Sequence, residues 1–168
     1  MKKIFISAVS KGLRSYRETV TEIVAAQSFI PIVQEHFQTP QTSIIEEIRD
    51  KIFQSKAVIA LVGPYYGGTS PIVRDGKRLS YSQYELLYAL EYRRPCLVLF
   101  TGSEFIPDLE PDGKKVVELP DLLRSQEEFI KLIKGGDKSF GRSSFNDRLG
   151  LALALAKHRW HEWLKPDV

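Results

Sequence analysis

The stretch Ala57–Val62, with the sequence AVIALV, is a continuous apolar run, and Gly63-Pro64 follows it directly. A run of this length that ends at turn residues is typical of a β-strand buried on both faces. Strands of this kind occur in parallel sheets that helices cover on both sides. The stretch therefore predicts an α/β protein with this strand inside the sheet.

Outward from this run, strand-like stretches alternate with stretches in which apolar residues recur at helical spacing. Such alternation predicts βαβ units, so we expect a flavodoxin-like doubly wound parallel sheet of four to five strands with flanking helices. Pro31 has no amide hydrogen to donate. Its strand therefore lies at an edge of the sheet, or Pro31 is at the start of the strand. The expected strands are Lys3–Val9, Phe29–Val33, Ala57–Val62 and Pro95–Phe100, and the helices between them are Leu13–Val24, Ile44–Phe53 and Tyr81–Tyr92.

The last third of the chain has a mainly helical pattern. Val116–Leu119 predicts one further, weak strand, and Asp121–Lys134 predicts a helix. We expect a final helix from Ser144 to Leu164 that turns one apolar stripe towards the core. Residues 1–168 then form a single domain, with a core at 3–100 and this helical part at 101–168. The stripe comprises Phe145, Leu149, Ala152, Leu153, Ala156, Trp160 and Trp163.

Composition and charge exclude several classes of protein. The chain has 168 residues and a formal net charge of +3, too weak a balance to indicate nucleic acid as a direct partner. No apolar stretch is long enough to cross a membrane and the first residues form no signal peptide, so we expect a cytoplasmic protein. The single cysteine, Cys96, excludes disulfides and multi-cysteine zinc sites, and with three scattered histidines we expect no metal site. The glycine-rich motifs of Rossmann folds and P-loops are also absent.

Ligands of doubly wound sheets bind beyond the carboxyl ends of the strands, where the strand order reverses. The loops that follow the first three strands therefore form the expected site. In the third of them, Tyr65 and Tyr66 could bind substrate by stacking on a base, or could cover the end of the sheet. The three loops are Ser7–Arg14, His36–Thr42 and Gly63–Tyr81.

Glu85 is a candidate catalytic residue whose role the spacing alone leaves open. It follows Ser82 by three positions near the start of the third helix, which is the pattern of a capping box. A glutamate in such a box has a structural role, whereas a carboxylate at this helix start also lies next to the ligand crevice. Capping boxes are also predicted for Ser15 with Glu18 and for Ser43 with Glu46, at the starts of the first two helices.

Several segments, taken in order, carry a family resemblance: Ile4–Ser7, the acidic helix Ile44–Phe53, the strand Ala57–Val62 with Gly63, and Ser80–Glu85 followed by Arg94–Phe100. Together they resemble a TIR-like domain. The chain is similar in particular to the TIR-related group of unknown function found at the N-termini of bacterial NTPase and repeat proteins. The resemblance covers about residues 3–100.

The resemblance implies an enzyme that cleaves the nicotinamide–ribose bond of NAD with a glutamate of the third helix. Glu85 occupies that position, and Tyr81 stands where such enzymes often carry an aromatic residue, commonly Trp. NAD is then a substrate, and no cofactor is needed. The resemblance also implies a substrate-binding pocket that includes Phe5, Ser7, Ser10 and Arg14, and a loop with His36 that serves substrate access and self-assembly.

The expected function is therefore NAD glycohydrolase activity that depends on homotypic self-association. The resemblance adds a role in bacterial defence signalling and natural chains that carry further domains. Two alternatives stay open. One is a non-enzymatic interaction module in which Glu85 only caps its helix. The other is a nucleoside deoxyribosyltransferase-like enzyme, which would use a carboxylate nucleophile at a sugar and for which Glu35 is the available second acid.

Overall fold

The computed structural model describes residues 1–34, 44–136 and 140–166. Strands and helices alternate over most of this part, as the apolar pattern predicts. In chain order the elements are β1 (Lys3–Ser7), α1 (Arg14–Ala26), β2 (Ile30–Val33), α2 (Ile44–Gln54), β3 (Ala57–Val62), β4 (Thr69–Arg74), β5 (Lys77–Ser80), α3 (Tyr81–Glu91), β6 (Cys96–Thr101), α4 (Pro120–Gly135), β7 (Gly141–Phe145), α5 (Arg148–Ala156) and α6 (Trp160–Leu164).

Within the described residues, five strands form one parallel sheet in the order β2-β1-β3-β6-β7. This is the order of flavodoxin-like doubly wound folds, in which the chain reverses its direction of growth between the first and third strands. The expected fold class is confirmed. β3 lies in the middle and all six of its residues are buried. β2, which contains Pro31, is an edge strand, as its missing amide predicts.

Two hydrophobic cores lie on the two faces of the sheet, because alternate residues of each buried strand point to opposite sides. One face packs against α1, α5 and α6, and Ile59 of β3 belongs to the same core there as Val20 and Leu155. The other face packs against α2, α3 and α4, and Val58 belongs to the same core there as Ile48 and Leu86. The helices therefore cover both faces of the sheet.

The fifth strand is β7 and not Val116–Leu119, which has no regular structure. β7 pairs with β6 through its backbone, and four of its five residues are exposed. Its sequence, Gly-Arg-Ser-Ser-Phe, has no apolar run, so hydrophobic patterning could not predict this strand. Residues 102–119 instead form an irregular segment, called the strap below.

A β-hairpin occupies part of the region that the sequence analysis interprets as a loop after β3. β4 and β5 pair antiparallel and turn at Asp75-Gly76, where both residues have positive φ, 51° and 75°. This is the backbone of a two-residue hairpin turn, for which Asp-Gly is a favoured sequence. The Asp-Gly pair was therefore the available signal for the hairpin.

The final helix departs from expectation in three ways. It begins at Arg148 and not at Ser144, because Ser144 and Phe145 belong to β7. It is also divided into α5 and α6, with residues 157–159 between them, and its buried face is not the predicted stripe. Leu151 and Leu155 are fully buried, whereas Leu149 and Leu153 are 70% and 53% exposed. α5 is apolar all round, so periodicity could not determine which face meets the core. Trp160 and Trp163 do pack into the core, as predicted.

The two faces of α5 give a matched pair of substitutions. We expect Leu155→Ala to lower the free energy of unfolding by about 2–5 kcal/mol, because it leaves a cavity in the core. Leu149→Ala removes the same atoms from an exposed site, and we expect a change within about 0.5 kcal/mol. Urea denaturation of both variants measures the difference, and equal losses would contradict the assigned face.

The two ends of the described chain meet at one place. The Lys2 ammonium donates hydrogen bonds to the carbonyl oxygens of Leu164 and Lys165, at 2.5 and 2.8 Å. Lys2 directly precedes β1, and these two carbonyls lie at the end of α6. Among the described residues, no helix is both long and apolar enough to cross a membrane.

Candidate active site

A cleft of about 300 Å³ opens at the carboxyl ends of the central strands. It brings together the loop after β1, the end of β2, the loop after β3 and the first turn of α3, as expected for a site where the strand order reverses. Among the predicted site residues, Ser10 and Tyr81 line this cleft. The described residues that line it are Ala8, Val9, Ser10, Lys11, Gln34, Gly67, Gly68, Tyr81 and Ser82.

Gly67 sets one wall of the cleft through a close approach of two loops. It has a φ of +83°, and an added Cβ would lie 2.5 Å from Cγ1 of Val9. Any side chain at position 67 would push the loop after β1 away. On the same wall the Tyr81 amide donates to the Gly68 carbonyl at 2.9 Å, which fixes the start of α3 against this loop.

Glu85 does not line the cleft but lies one helical turn along α3 from two residues that do. Tyr81 and Ser82, which line it, precede Glu85 by four and three positions on α3, so the three side chains share one helix face. Only 2% of Glu85 is exposed. The Ser7 hydroxyl, at the end of β1, donates a hydrogen bond to Glu85 Oε2. Two of the predicted site residues, Ser7 and Glu85, are thus in direct contact.

Burial has the largest effect on the pKa of Glu85. Loss of solvation raises the pKa of its carboxyl to about 8, against the opposing effects of the Ser7 hydrogen bond and the Arg17 charge. The carboxyl is therefore mainly protonated at neutral pH in this conformation. A buried carboxyl with a strongly raised pKa beneath a cleft is a common feature of catalytic sites.

Glu85 is not part of a capping box. The box at the start of α3 consists of Ser80 and Gln83. The backbone amide of Gln83 donates to Ser80 Oγ, and the backbone amide of Ser80 donates to Gln83 Oε1, each at 3.1 Å. The predicted Ser82–Glu85 box is wrong because β5 continues to Ser80, so the helix begins two residues earlier than that pattern requires. Glu85 has no capping role and is free for another.

Arg17 is a site residue that the sequence analysis missed. It lies on α1, is 5% exposed, and donates from Nη1 to Ser10 Oγ at 3.2 Å and to the Ala8 carbonyl at 3.5 Å. It therefore holds the loop after β1, and its positive charge lowers the pKa of Glu85. A charged residue within an otherwise ordinary helical pattern gave no signal of this role.

The strap lies across the start of α1. The Ser15 amide and hydroxyl donate to the two carboxylate oxygens of Asp108, at 2.7 and 2.6 Å. The predicted box of Ser15 with Glu18 is therefore wrong: Ser15 lies inside the helix, and a carboxylate 93 residues away in sequence satisfies its amide. The strap is also held by Lys11, which donates to the Val117 carbonyl at 3.1 Å.

The other predicted binding residues lie in different surroundings. Phe5 is fully buried in the core against α2 and α3 and does not line the cleft. Arg14 is exposed and lines a separate cleft between the strap and α1. Tyr65 borders a small cavity next to Ser7, and a Cβ added at Gly12 would meet its ring at 2.7 Å. His36, Glu35 and Ser43 lie outside the described residues.

Tyr66 and Cys96 have structural surroundings. Tyr66 is buried and its hydroxyl donates to the Arg78 carbonyl at 2.6 Å, so it covers the end of the sheet. Burial raises the pKa of the Cys96 thiol to about 12, so it stays protonated and unreactive, as expected for a strand cysteine. Within the described residues, no group of three or more histidine, cysteine or acidic side chains could hold a metal ion.

A family model described as a domain of unknown function, DUF4062, matches residues 3–158. The chain belongs to the DUF4062 family. No curated protein matches this DUF4062 domain. The match spans both the candidate site and the helical last third, so the family includes the strap and α5 as well as the expected core at 3–100.

Solved structures with similar architecture have low identity to this DUF4062 domain. A 2-desoxiribosyltransferase from Leishmania mexicana aligns at 18% identity and a TM-score of 0.49, over 94% of this chain and 99% of that one. The CMP N-glycosidase BcmB from Clostridium botulinum aligns at 12% identity and a TM-score of 0.48, over 94% and 100%. A TIR-STING receptor from C. gigas, in complex with 2′,3′-cGAMP, aligns at 16% identity and a TM-score of 0.42, over 92% and 39%.

Proposed function

We propose that this DUF4062 domain hydrolyses the N-glycosidic bond between nicotinamide and ribose in NAD. The observation that carries the proposal is the position of Glu85, a buried carboxyl held by Ser7, one helical turn from residues that line a cleft at the strand ends. The resemblance to TIR-like domains implies a catalytic role for the same residue and was drawn from the sequence, independently of that geometry. Self-association and a role in bacterial defence rest on the resemblance alone and form part of the proposal.

The reaction suits a single carboxylate. Cleavage of an N-glycosidic bond builds positive charge on the ribose ring, as in other glycoside hydrolyses. An ionised Glu85 next to that ring stabilises the transition state more than the ground state. The nicotinamide of NAD is already a cation, so it leaves as a neutral base without a general acid. Water adds to the anomeric carbon, and the products are nicotinamide, ADP-ribose and one proton.

The raised pKa of Glu85 adds a means of substrate selection. In the free protein the carboxyl is mainly protonated near neutral pH because it is buried. A cationic nicotinamide riboside bound next to it lowers that pKa and releases the proton to solvent. The ionised carboxylate then exists mainly in the complex with a cationic substrate. Glu85 is 2% exposed and does not itself line the cleft, so contact between a bound substrate and Glu85 requires residues that line the cleft to move.

The protonated carboxyl also favours a second candidate, a nucleoside deoxyribosyltransferase-like enzyme. Neutral nucleosides have poor leaving groups, and a carboxylic acid with a pKa of about 8 can protonate a departing base at neutral pH. Such an enzyme would release or exchange bases of neutral nucleosides instead of cleaving NAD. The identity of the leaving group therefore distinguishes the two candidates.

The test is a substrate panel with the purified chain at high concentration, with free base quantified by chromatography. We expect nicotinamide release from NAD and little base release from uncharged nucleosides or deoxynucleosides. Base exchange among deoxynucleosides would instead favour the second candidate. If no substrate turns over, even after artificial oligomerisation of the chain, the enzyme proposal is wrong and the domain is an interaction module.

A further inference from the structure

We propose that a second cavity, at the opposite end of the sheet, binds a nucleoside monophosphate or a similar phosphate-bearing small molecule. The cavity has a volume of about 480 Å³. It is lined by the first residues of β6 and β7, by the segment between α5 and α6, and by α6. Sites for small molecules typically have volumes of about 300–1,000 Å³, so this cavity can hold a nucleotide.

The second cavity is separate from the candidate active site. Cys96 and Leu97 at the start of β6 line it, whereas the first cleft opens where the parallel strands end. A six-residue strand rises about 3.3 Å per residue, so roughly 15–20 Å separate the two. Among the residues that the structure describes, none lines both cavities. A ligand here would therefore bind without occupying the Glu85 site.

Unpaired positive charge is the first argument for a phosphate. Arg142 and Lys157 line the cavity, and neither side chain has an ion pair or hydrogen bond with any described residue. Arg159 also lines it and pairs with Glu162 at 3.4 Å, so those two charges balance. The remaining charge of about +2 matches a phosphate dianion, to which arginine donates in pairs and lysine binds as a point charge.

The remaining walls suit the rest of a nucleotide. Trp163, Leu97 and Ala154 provide apolar surface against which a base can lie. His158 also lines the cavity, and its Nε2 is buried without a hydrogen-bond partner among the described residues. A buried polar atom without a partner is unfavourable, and a hydroxyl or amino group of a ligand would satisfy it.

The chain contains a built-in reporter for this cavity. Its two tryptophans, Trp160 and Trp163, both contact the His158 ring, with centroids at 5.0 and 4.3 Å. Intrinsic tryptophan fluorescence therefore reports on this end of the molecule. We expect AMP to produce a saturable change in fluorescence, inorganic phosphate to produce the same change at higher concentration, and adenosine to produce none.

Charge-reversal variants assign the signal to the cavity. We expect Arg142→Glu and Lys157→Glu each to weaken AMP binding about tenfold or more, as for loss of a charge-assisted contact. The milder Lys157→Gln is expected to weaken it less. Lys131→Glu, on the exposed face of α4 away from the cavity, is the matched control and should leave binding unchanged.

The proposal is overturned if AMP gives no saturable change, or if adenosine binds as well as AMP. It is also overturned if Lys131→Glu weakens binding as much as Lys157→Glu, because the effect would then reflect overall charge. Far-ultraviolet circular dichroism confirms that each variant is folded. No turnover is measured, so the result is independent of whether the domain cleaves NAD.

Discussion

Glu85→Gln is expected to lower nicotinamide release from NAD by at least about 10²–10³-fold, the loss seen when one charge-stabilising group is removed from an active site. Gln has the shape of Glu and can still accept the Ser7 hydrogen bond, but it cannot become an anion. The substitution therefore removes the charge that would stabilise the ribose cation. Single-turnover and steady-state rates of nicotinamide release measure the effect.

The matched control is Glu22→Gln, which changes an exposed carboxylate on α1 by the same atoms. It should keep wild-type activity. In the wild type, the rate at low NAD concentration should rise with pH towards about 8, because the free protein then ionises Glu85. If Glu85→Gln retains activity within about tenfold of wild type, the assignment of Glu85 as the catalytic group is wrong.

Glu85→Gln is also expected to stabilise the fold at alkaline pH. The folded-state pKa of about 8 is above the ordinary 4.5, so the unfolded chain loses this proton first as the pH rises. Between these two values the wild type loses stability with increasing pH, by about 1.4 kcal/mol per pH unit and at most about 5 kcal/mol in all. Below the ordinary pKa, the folded and the unfolded protein both hold the proton, so Glu85 causes no loss of stability. Gln has no proton to lose and avoids the whole effect.

Urea denaturation of wild type and Glu85→Gln at about pH 4 and about pH 8 measures this difference. We expect similar stabilities at the acid pH and a more stable variant at the alkaline pH. A difference that does not change with pH would show that Glu85 keeps an ordinary pKa in the folded state. The two experiments distinguish a structural role of Glu85 from a catalytic one. If the role is only structural, the stability difference still changes with pH, but Glu85→Gln keeps its activity.

The central part of the fold could be predicted because a strand that is buried on both faces has apolar residues at successive positions. β3 is apolar at all six positions, and this alone indicates a covered parallel sheet. β7 has no apolar run, because its exposed Gly, Arg and Ser residues pair with β6 through their backbone. On α5, apolar residues lie on both faces, so the sequence pattern could not predict that Leu151 and Leu155 are the buried ones.

The candidate site could be predicted in position but not in its chemistry. Loop order indicated the loop that begins at Ser7 and the helix start near Glu85, but the roles assigned to Ser7 and Glu85 came from the resemblance to TIR-like domains. The pKa of Glu85 depends on burial and on Arg17, and neither can be derived from spacing along one helix. Likewise, Asp108 satisfies the Ser15 amide across 93 residues, and a local capping pattern cannot represent such a contact.

The hydrogen bonds from Lys2 to the end of α6 have a consequence for how the domain can be connected to other chains. They bring the start of β1 next to the last described helix, so a short linker could close the chain into a ring. A unit with adjacent ends can be inserted into a surface loop of a host protein, or circularly permuted, without strain at the junction. The Asp75-Gly76 turn is a suitable place for new ends, since nothing lies within 4 Å of a Cβ at Gly76.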